Sequence, residues 1–561
     1  MEWISNKYSS LTEFMFSENE IYKDFNTYEQ SEIKNLQKAA TNIKRCCFEE
    51  YKIFIIADYD VDGVASAIIM GTILEYFGVP YETIIPKRFS DGYGISETII
   101  SDIIEQKAEK NLVITIDNGI TAINHFNLLK ENGFETIIID HHKPLVVEGH
   151  IVLPEADIVV DPHIEENNKD DYCAAGLAFK LAEALNLPES EMLNITVFAM
   201  FATIADIVKL KRENRKIVKE GLRIVNEERN KLSANLKFFF EMLDIEHIDE
   251  DSIAYTIGPT INAPGRLIDD GAQNIAAKAL FGPIDFDLFD SMKYCNTERK
   301  KLTDSYTNMC IEMISENNID TNHPIILNGD FHEGIIGIIA GKIAKKYQVP
   351  TIITANLQDS DLVKGSARTA QNENLIGLLR KNDKFFVKYG GHKEAAGLTM
   401  KKSNLESLKE ALSEKTYKNT SILFYDLELK IKDLKDFFEE QSLFAPFGNG
   451  NRKPLVKISV ELSPRNNEVY RELSCGKYAK LYGNGCDIML FECDDYMYDT
   501  SYEKWIDLGR PNKFEALAYV TENVFRGNHI LQLMVVDLKI NNENENYKEK
   551  SEREIFLSYF S

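Results

Sequence analysis

Residues 51–66 read YKIFIIADYDVDGVAS. An apolar run rich in β-branched and aromatic residues stops at three aspartates, Asp58, Asp60 and Asp62, and Gly63 follows. A short run of this kind is a buried strand, and the apolar stretch 63–78 after it has the length and composition of a helix. Like charges this close repel one another unless a cation or water compensates them. At a spacing of two, the three carboxylates are expected on one face of an extended turn, with Gly63 letting the chain approach them and start the helix.

The pattern repeats. LVITID and TIIID are two more strand-like runs, and 121–133 (TAINHFNLLKENG) is a second helical stretch, ending like the first in glycine. Strands alternating with helices at this spacing imply a parallel, doubly wound α/β sheet. Each strand ends in aspartate: the Asp58 group, then Asp117, then Asp140 followed by His141 and His142. In a parallel sheet all strand C-termini share one edge, where such folds bind ligands, so acids remote in sequence converge. Asp206, closing the apolar run in FATIADIV, is a further candidate. Taken singly, each aspartate reads equally as a helix cap or turn former. Together, carboxylates and imidazole without thiolate suit hard ions, Mn²⁺ or Mg²⁺, in number enough for two. Paired metal sites commonly hydrolyse phosphate esters.

With 561 residues and 44% hydrophobic composition, the chain holds several globular domains. The N-terminus MEWISNKYSS lacks the pattern of a secretory signal, and NITVFAMFATIADIV, the longest apolar run, is broken by polar residues. A soluble, cytoplasmic protein is expected. Eight scattered cysteines include no CxxC pair, which argues against a zinc ribbon or a disulfide framework. A formal charge of −25 argues against a nucleic-acid partner, but residues 321–400 carry ten Lys/Arg against seven Asp/Glu. A locally basic module can bind a polyanion inside an acidic chain.

The expected organisation is an N-terminal helical or irregular segment (1–50), the sheet-bearing domain (51–284), a connecting helix (285–318) and a second α/β domain (319–412). A C-terminal β-barrel (420–540) and a polar tail (541–561) complete it.

DYDVDG, IDNGI and DHHKP resemble, in order and spacing, the motifs of the DHH phosphoesterase superfamily. IPKRFSDGYGIS, CAAGLAFKLAEAL, FATIADIVKLKRENR, INAPGRL and CNTERKKLT narrow the resemblance to its RecJ family of single-strand-specific exonucleases. FHEGIIGIIAGKIAKKYQVPTII, KGSART and KYGGHKEAAGLTM are similar to its DHHA1 domain, and LFAPFGNGNRKPLV to the start of its OB-fold. The resemblance spans residues 50–540. It implies a DHH domain, a connecting helix, a DHHA1 domain and an OB-fold barrel, and metal ligation by Asp60, Asp62, Asp117, His141 and Asp206. Asp58, Asp140 and His142 would support the cluster or contact the attacked phosphate, and for His142 a buried supporting role is an equal alternative. Asp161 stands where the family more often has Asn, CAAGLAF has Ala for a usual Gly, NAPGR has Pro for a commoner Ala, and the OB likeness thins after residue 460.

Ser366 and Arg368 are two apart in KGSART, so a strand would turn both to one side. Hydroxyl and guanidinium together suit a terminal phosphate. The resemblance implies that they grip the 5′ end with Arg88, while Arg266 reaches the scissile phosphate. Their alternatives are a solvated surface arginine at 368 and an ion pair of Arg266 with Asp269 or Asp270. In YGGHKEAAG, Gly390, Gly391 and His392 form a turn whose amides and imidazole can meet phosphate. Phe447 and Tyr482 are equally stacking or core residues of the barrel.

The implied activity is 5′→3′ hydrolysis of single-stranded DNA to 5′-mononucleotides with two Mn²⁺ or Mg²⁺ ions, in repair and recombination. Single-stranded DNA is the implied partner, with a helicase and a single-strand-binding protein beside it, and the expected state is a monomer with no membrane contact. A DHH–DHHA1 phosphodiesterase for short oligonucleotides or cyclic dinucleotides is the alternative, and it usually lacks the C-terminal barrel. A pyrophosphatase would need far less chain, and an inactive DNA-binding scaffold would not retain the full acid set.

Overall fold

The apolar runs after residue 50 pair as parallel strands for a simple reason: their side chains are buried on both faces. In the computed structural model, Lys52–Ala57 (β1) sends Ile53, Ile55 and Ala57 into one apolar cluster and Phe54 and Ile56 into another. Each such side chain contributes roughly 1.5–3 kcal/mol relative to exposure. The structure describes residues 2–19, 33–89, 94–164, 171–268, 273–358, 360–370, 373–417, 422–465, 468–473, 478–483, 485–491, 501–525 and 527–540. The chain divides into two compact units, residues 28–420 and residues 1–27 with 421–561.

The larger unit begins with the sheet. After β1 come the helix Val61–Tyr76 (α1), strands Tyr81–Ile84 (β2) and Asn111–Ile116 (β3), the helix Ile123–Glu131 (α2), and strands Glu135–Ile139 (β4) and Ile158–Val160 (β5). All pairings are parallel, in the order β2-β1-β3-β4-β5. The strand order reverses between β1 and β3, so the crevice at the carboxyl edge opens between the strands that precede Asp58 and Asp117. Helices Ala174–Ala184 (α3) and Glu189–Ala205 (α4) cover one face. A π-helical stretch, Ile253–Ile257, leads into Gly258–Leu267 (α5), which ends beside Arg266.

Helix Phe286–Glu316 (α6), 31 residues and about 47 Å long, connects to a second sheet. This is built from Ile325–Gly329 (β6), helix Ile336–Tyr347 (α7), Thr351–Asn356 (β7), Leu362–Arg368 (β8), Phe386–Gly391 (β9) and Ala395–Lys401 (β10). The order is β9-β10-β8-β7-β6, with β6 and β7 parallel and the remaining pairs antiparallel.

The smaller unit holds a seven-stranded sheet running Leu427–Leu429, Val456–Glu461, Lys513–Phe525, Asn528–Lys539, Asp487–Phe491, Tyr478–Tyr482 and Tyr470–Leu473. A bridge between Leu462 and Gly483 draws the strand 456–461 toward the strand 478–482, in the partly open manner of an OB barrel. Phe447 and Tyr482 are 6% and 7% exposed, so both are core residues.

The N-terminal expectation is corrected. Residues 1–50 are not one segment: Glu2–Ser5 pairs in parallel with Ile422–Tyr425, and Leu11–Glu18 packs Leu11, Phe14 and Met15 into the barrel core. Leu36–Phe48 instead joins the core of the larger unit. A four-residue strand carries little local signal when its partner lies some 420 residues away. Trp3 Nε1 donates to Asp537 Oδ2 at 2.7 Å, and Lys539 lies 4.5 Å from the Trp3 ring.

Among the described residues no helix is long and apolar enough to cross a membrane. Cys46, Cys47, Cys173, Cys295, Cys310 and Cys486 are free and buried. Cys475, Cys493 and the tail 541–561 lie outside the described residues.

Phe14 is fully buried, with the Arg452 guanidinium 4.5 Å from its ring. Phe14→Ala should lower the stability of the smaller unit by about 3–5 kcal/mol, read from its denaturant transition.

Candidate active site

The turn after β1 is tighter than an extended chain. A Cβ on Gly63 would sit 2.2 Å from the Asp58 carbonyl oxygen, so only glycine lets the helix start this close to the strand end. Asp60 is the N-cap of α1, its Oδ1 accepting from the amides of Asp62 (2.9 Å) and Gly63 (3.1 Å). Asp62 lies in the first helical turn, and its carboxylate accepts from the amides of Ala174 (2.7 Å) and Ala175 (2.8 Å) at the start of α3. The expected one-sided extended turn is thus a strand–cap–helix junction. A helix N-terminus favours the charge on Asp62.

Asp117 follows β3 with φ of 62°, a left-handed backbone uncommon outside glycine, and its amide donates to the Ile139 carbonyl at 3.1 Å. This conformation, of the sort that clusters at functional sites, directs the buried carboxylate into the crevice. Asp140, after β4, is committed to protein donors. It accepts from the amides of Ile120 (3.0 Å), His141 (2.8 Å) and His142 (3.1 Å), and holds His142 Nδ1 at 2.8 Å. It therefore shapes the DHH turn.

His141 reaches across the crevice. Its Nε2 is 3.1 Å from Asp117 Oδ1 and 3.6 Å from Asp62 Oδ2, and its Nδ1 is 3.7 Å from Asp206 Oδ2. Asp206 is the residue that ends α4. Three triads result, each with ligand atoms mutually within 4.8 Å: Asp117, His141 and His142; Asp62, His141 and Asp206; Asp58, Asp60 and Asp117. Asp117 and His141 each serve two of them.

Electrostatics point the same way. Burial, then the charge of Asp60, pushes Asp58 up to about 8. Burial and the charges of Asp62, Asp60 and Asp58 raise Asp117 well above the carboxylate range. Burial disfavours charge on His142, but its bond to Asp140 prevails and raises it to about 9. Asp58 Oδ1 is buried without a hydrogen-bond partner. Hard oxygen and imidazole donors, an unpartnered carboxylate oxygen and crowded negative charge fit divalent Mn²⁺ or Mg²⁺. Cys173 offers no thiolate, because burial raises its thiol well above the usual range.

Beside this cluster lies a pocket of arginines. Arg88 sits 5.0 Å from the ring centroid of Tyr59, which stands between Asp58 and Asp60. On β8, Arg368 Nη1 donates to Ser366 Oγ at 2.9 Å and to the Ala367 carbonyl at 2.8 Å, so the two side chains do share a side. Both meet the first turn of α7, where a Cβ on Gly337 would lie 3.1 Å from Arg368 Nη2 and 3.2 Å from Ser366 Oγ. That helix has no side-chain cap, and while the Ile338 amide donates to the Ile335 carbonyl at 2.8 Å, the amides of Ile336 and Gly337 at its start suit an anion. Arg266 is lowered by desolvation and by the charges of Arg88, Arg299 and Arg368. Its alternative partners, Asp269 and Asp270, lie outside the described residues.

Gly390, Gly391 and His392 sit elsewhere. Gly390 and Ser366 both register with Gly397, so they are two strands, roughly 10 Å, apart. With Asn118, Asp140, His142 and Lys143 they line a cavity of about 860 Å³. Asp161 ends β5, with Oδ1 accepting from the His163 amide at 2.6 Å.

Sequence reasoning missed Tyr59, Arg299, Gly337 and the Ala174 and Ala175 amides. Arg299 stands in the quoted CNTERKKLT, and the glycine pair in FHEGIIGI before a helix is a phosphate-loop signal. Backbone amides leave no signal.

Comparison with known proteins adds three family matches in series. The DHH family N-terminal domain matches residues 52–205, the DHHA1 domain 321–418 and the RecJ OB domain 425–537. The OB match runs well past residue 460, where the sequence likeness thins. The single-stranded-DNA-specific exonuclease RecJ of Bacillus subtilis is 30% identical over 449 residues, 78% of this chain and 55% of that protein. RecJ of Thermus thermophilus is 27% identical over 526 residues, 90% of this chain and 71% of that protein. The crystal structure of Thermus thermophilus RecJ in complex with Mn²⁺ superposes with a TM-score of 0.72 at 25% identity, covering 92% of this chain and 73% of that one. The chain thus spans little more than half of the Bacillus relative's length. Its three domains, in this order and with this fold, place it in a family: the chain belongs to the RecJ family of DHH proteins.

Proposed function

We propose that the protein is a metal-dependent exonuclease that hydrolyses single-stranded DNA from the 5′ end and releases 5′-mononucleotides. The observation that carries this reading is the pairing of two charge-crowded sites. Three overlapping carboxylate–imidazole triads lie next to a pocket of guanidinium groups, and Tyr59 and Arg88 join them. Relatives bearing the same domains are named single-stranded-DNA-specific exonucleases, and their crystal structures hold Mn²⁺ and Mg²⁺.

Asp60, Asp62, Asp117, His141 and Asp206 would hold the ions, with Asp58 and His142 completing the outer triads. Bound divalent ions supply Lewis acidity and a lowered pKa for water. The protein's own groups do the rest. Asp140 fixes the backbone of the turn through three amide bonds and orients the His142 imidazole through a fourth. His142, held through Nδ1 by Asp140, is turned toward the cavity it lines. Ser366, Arg368 and the first turn of α7 hold a terminal phosphate, which Arg88 and Arg266 help to neutralise. Gripping that phosphate beside the metal cluster would set both the polarity of attack and the size of the product. The basic character of residues 321–400 and the OB domain suit single-strand binding. A helicase and a single-strand-binding protein as partners, a monomeric state and a cytoplasmic location complete the proposal.

A time course on single-stranded DNA labelled at either end, with Mn²⁺ or Mg²⁺, tests it. Early release of 5′ label as mononucleotide is expected, and activity confined to dinucleotides would overturn it. Mn²⁺ at 100 times its dissociation constant should raise stability by about 2.7 kcal/mol per site in a thermal melt. Asp117→Ala should lose that rise together with nuclease activity, without lowering the metal-free melting temperature, since it removes a buried charge from a repulsive cluster. Arg368→Ala should reduce kcat/KM for a 5′-phosphorylated strand roughly 10- to 100-fold, toward the value for a 5′-hydroxyl strand.

A further inference from the structure

His332 lies in the connection between β6 and α7, and neither the metal cluster nor the phosphate grip includes it. Its contacts nonetheless fall on three separate segments. Its Nδ1 accepts from the Gly334 amide at 3.1 Å. The Leu267 backbone also faces the ring, on the side that favours its charged form. Its edge meets the ring of Phe89, with centroids 5.6 Å apart and planes at 73°.

Each contact is adjacent to a member of the arginine pocket. Phe89 follows Arg88, Leu267 follows Arg266, and Gly334 precedes by three residues the Gly337 that meets Ser366 and Arg368. The packing tolerates little adjustment. A Cβ on Gly334 would lie 1.9 Å from the Arg266 carbonyl oxygen and 3.1 Å from Phe89 Cζ. Arg266 Nη1 reaches back toward the Gly334 carbonyl at 3.5 Å. One ring therefore joins the end of α5 and the 88–89 segment of the DHH domain to the start of α7 in the DHHA1 domain.

With Nδ1 accepting from an amide, the ring is a neutral imidazole that carries its proton on Nε2. Burial favours that form, against the charge of Glu333 and the Leu267 carbonyl, and the charge of Arg88 adds to it. No other common side chain supplies an acceptor, an opposed donor and a flat apolar edge together.

We infer that His332 is a positioning residue for the 5′-terminal phosphate, setting the spacing of Arg88, Arg266 and the α7 N-terminus and hence the preference for a phosphorylated end. The inference rests on the reading of this pocket as the 5′-phosphate seat. His332 does not touch the phosphate; it holds the three walls that do.

The test compares the full chain with His332→Ala and His332→Asn, using oligonucleotides of one sequence with a 5′-phosphate or a 5′-hydroxyl. Two quantities are read: kcat/KM with Mn²⁺, and binding in EDTA by fluorescence anisotropy. For His332→Ala, kcat/KM on the phosphorylated strand should fall about tenfold further than on the hydroxyl strand, chiefly through KM, and the binding preference should shrink likewise. The Mn²⁺-induced rise in melting temperature should persist. Asparagine, whose Oδ1 can accept from Gly334, should recover part of the preference, and it stands in if the alanine variant does not fold. An equal loss on both strands, with the preference intact, would overturn the inference and leave His332 a purely structural residue. A wild-type protein indifferent to the 5′-phosphate in both assays would instead overturn the reading of the pocket.

Discussion

Crowding of negative charge at one point of the sheet edge governs this molecule. Asp58 and Asp117 follow the two strands between which the strand order reverses, and Asp60, Asp62, Asp140 and Asp206 are brought to the same crevice by the turns and helices around it. Burial and mutual repulsion make the arrangement unfavourable without counter-charge. The fold devotes specific devices to holding it: the close approach at Gly63, the left-handed backbone at Asp117, and the helix amides that face Asp62. Such devices would be superfluous around a solvated turn.

The arginine pocket is the counterpart with opposite sign. Arg88 and Arg266 come from the DHH domain, Arg368 from the DHHA1 domain and Arg299 from the helix connecting them. Like charges thus crowd at each of two neighbouring sites, anions at one and cations at the other, and under the proposed function a nucleic acid end with its metal ions would satisfy both. Their fixed separation turns two electrostatic needs into one geometric measure of substrate. That measure would depend on how firmly the two domains are joined, which is the role proposed for His332.

What could be read in the sequence follows from how local each signal is. The parallel sheet was legible because every strand is a continuous apolar run, and the acid edge because an aspartate closes each run. The convergence of Asp117, His141 and Asp206 on the same crevice was legible for the same reason. Conformation within DYDVDG was not: period-two spacing suggested an extended turn, whereas Asp60 caps a helix that Asp62 has already entered. The division of labour at Asp140 was also hidden, since its acceptor bonds come from backbone amides of neighbouring turns. The strand Glu2–Ser5 was illegible because nothing in EWIS specifies a partner beyond residue 420.

That strand has a consequence for how the chain comes into being. On a ribosome, Glu2–Ser5 and the helix behind it emerge well before the sheet edge and core they complete, which are encoded after residue 421. At 5–20 residues per second, the wait is about 20–80 s, long enough for the intervening unit to fold and for the exposed Phe14 and Met15 to need shielding. Vectorial synthesis therefore finishes the larger unit before the barrel can close. Residues 2–18, though translated long before the barrel, find their place only with it.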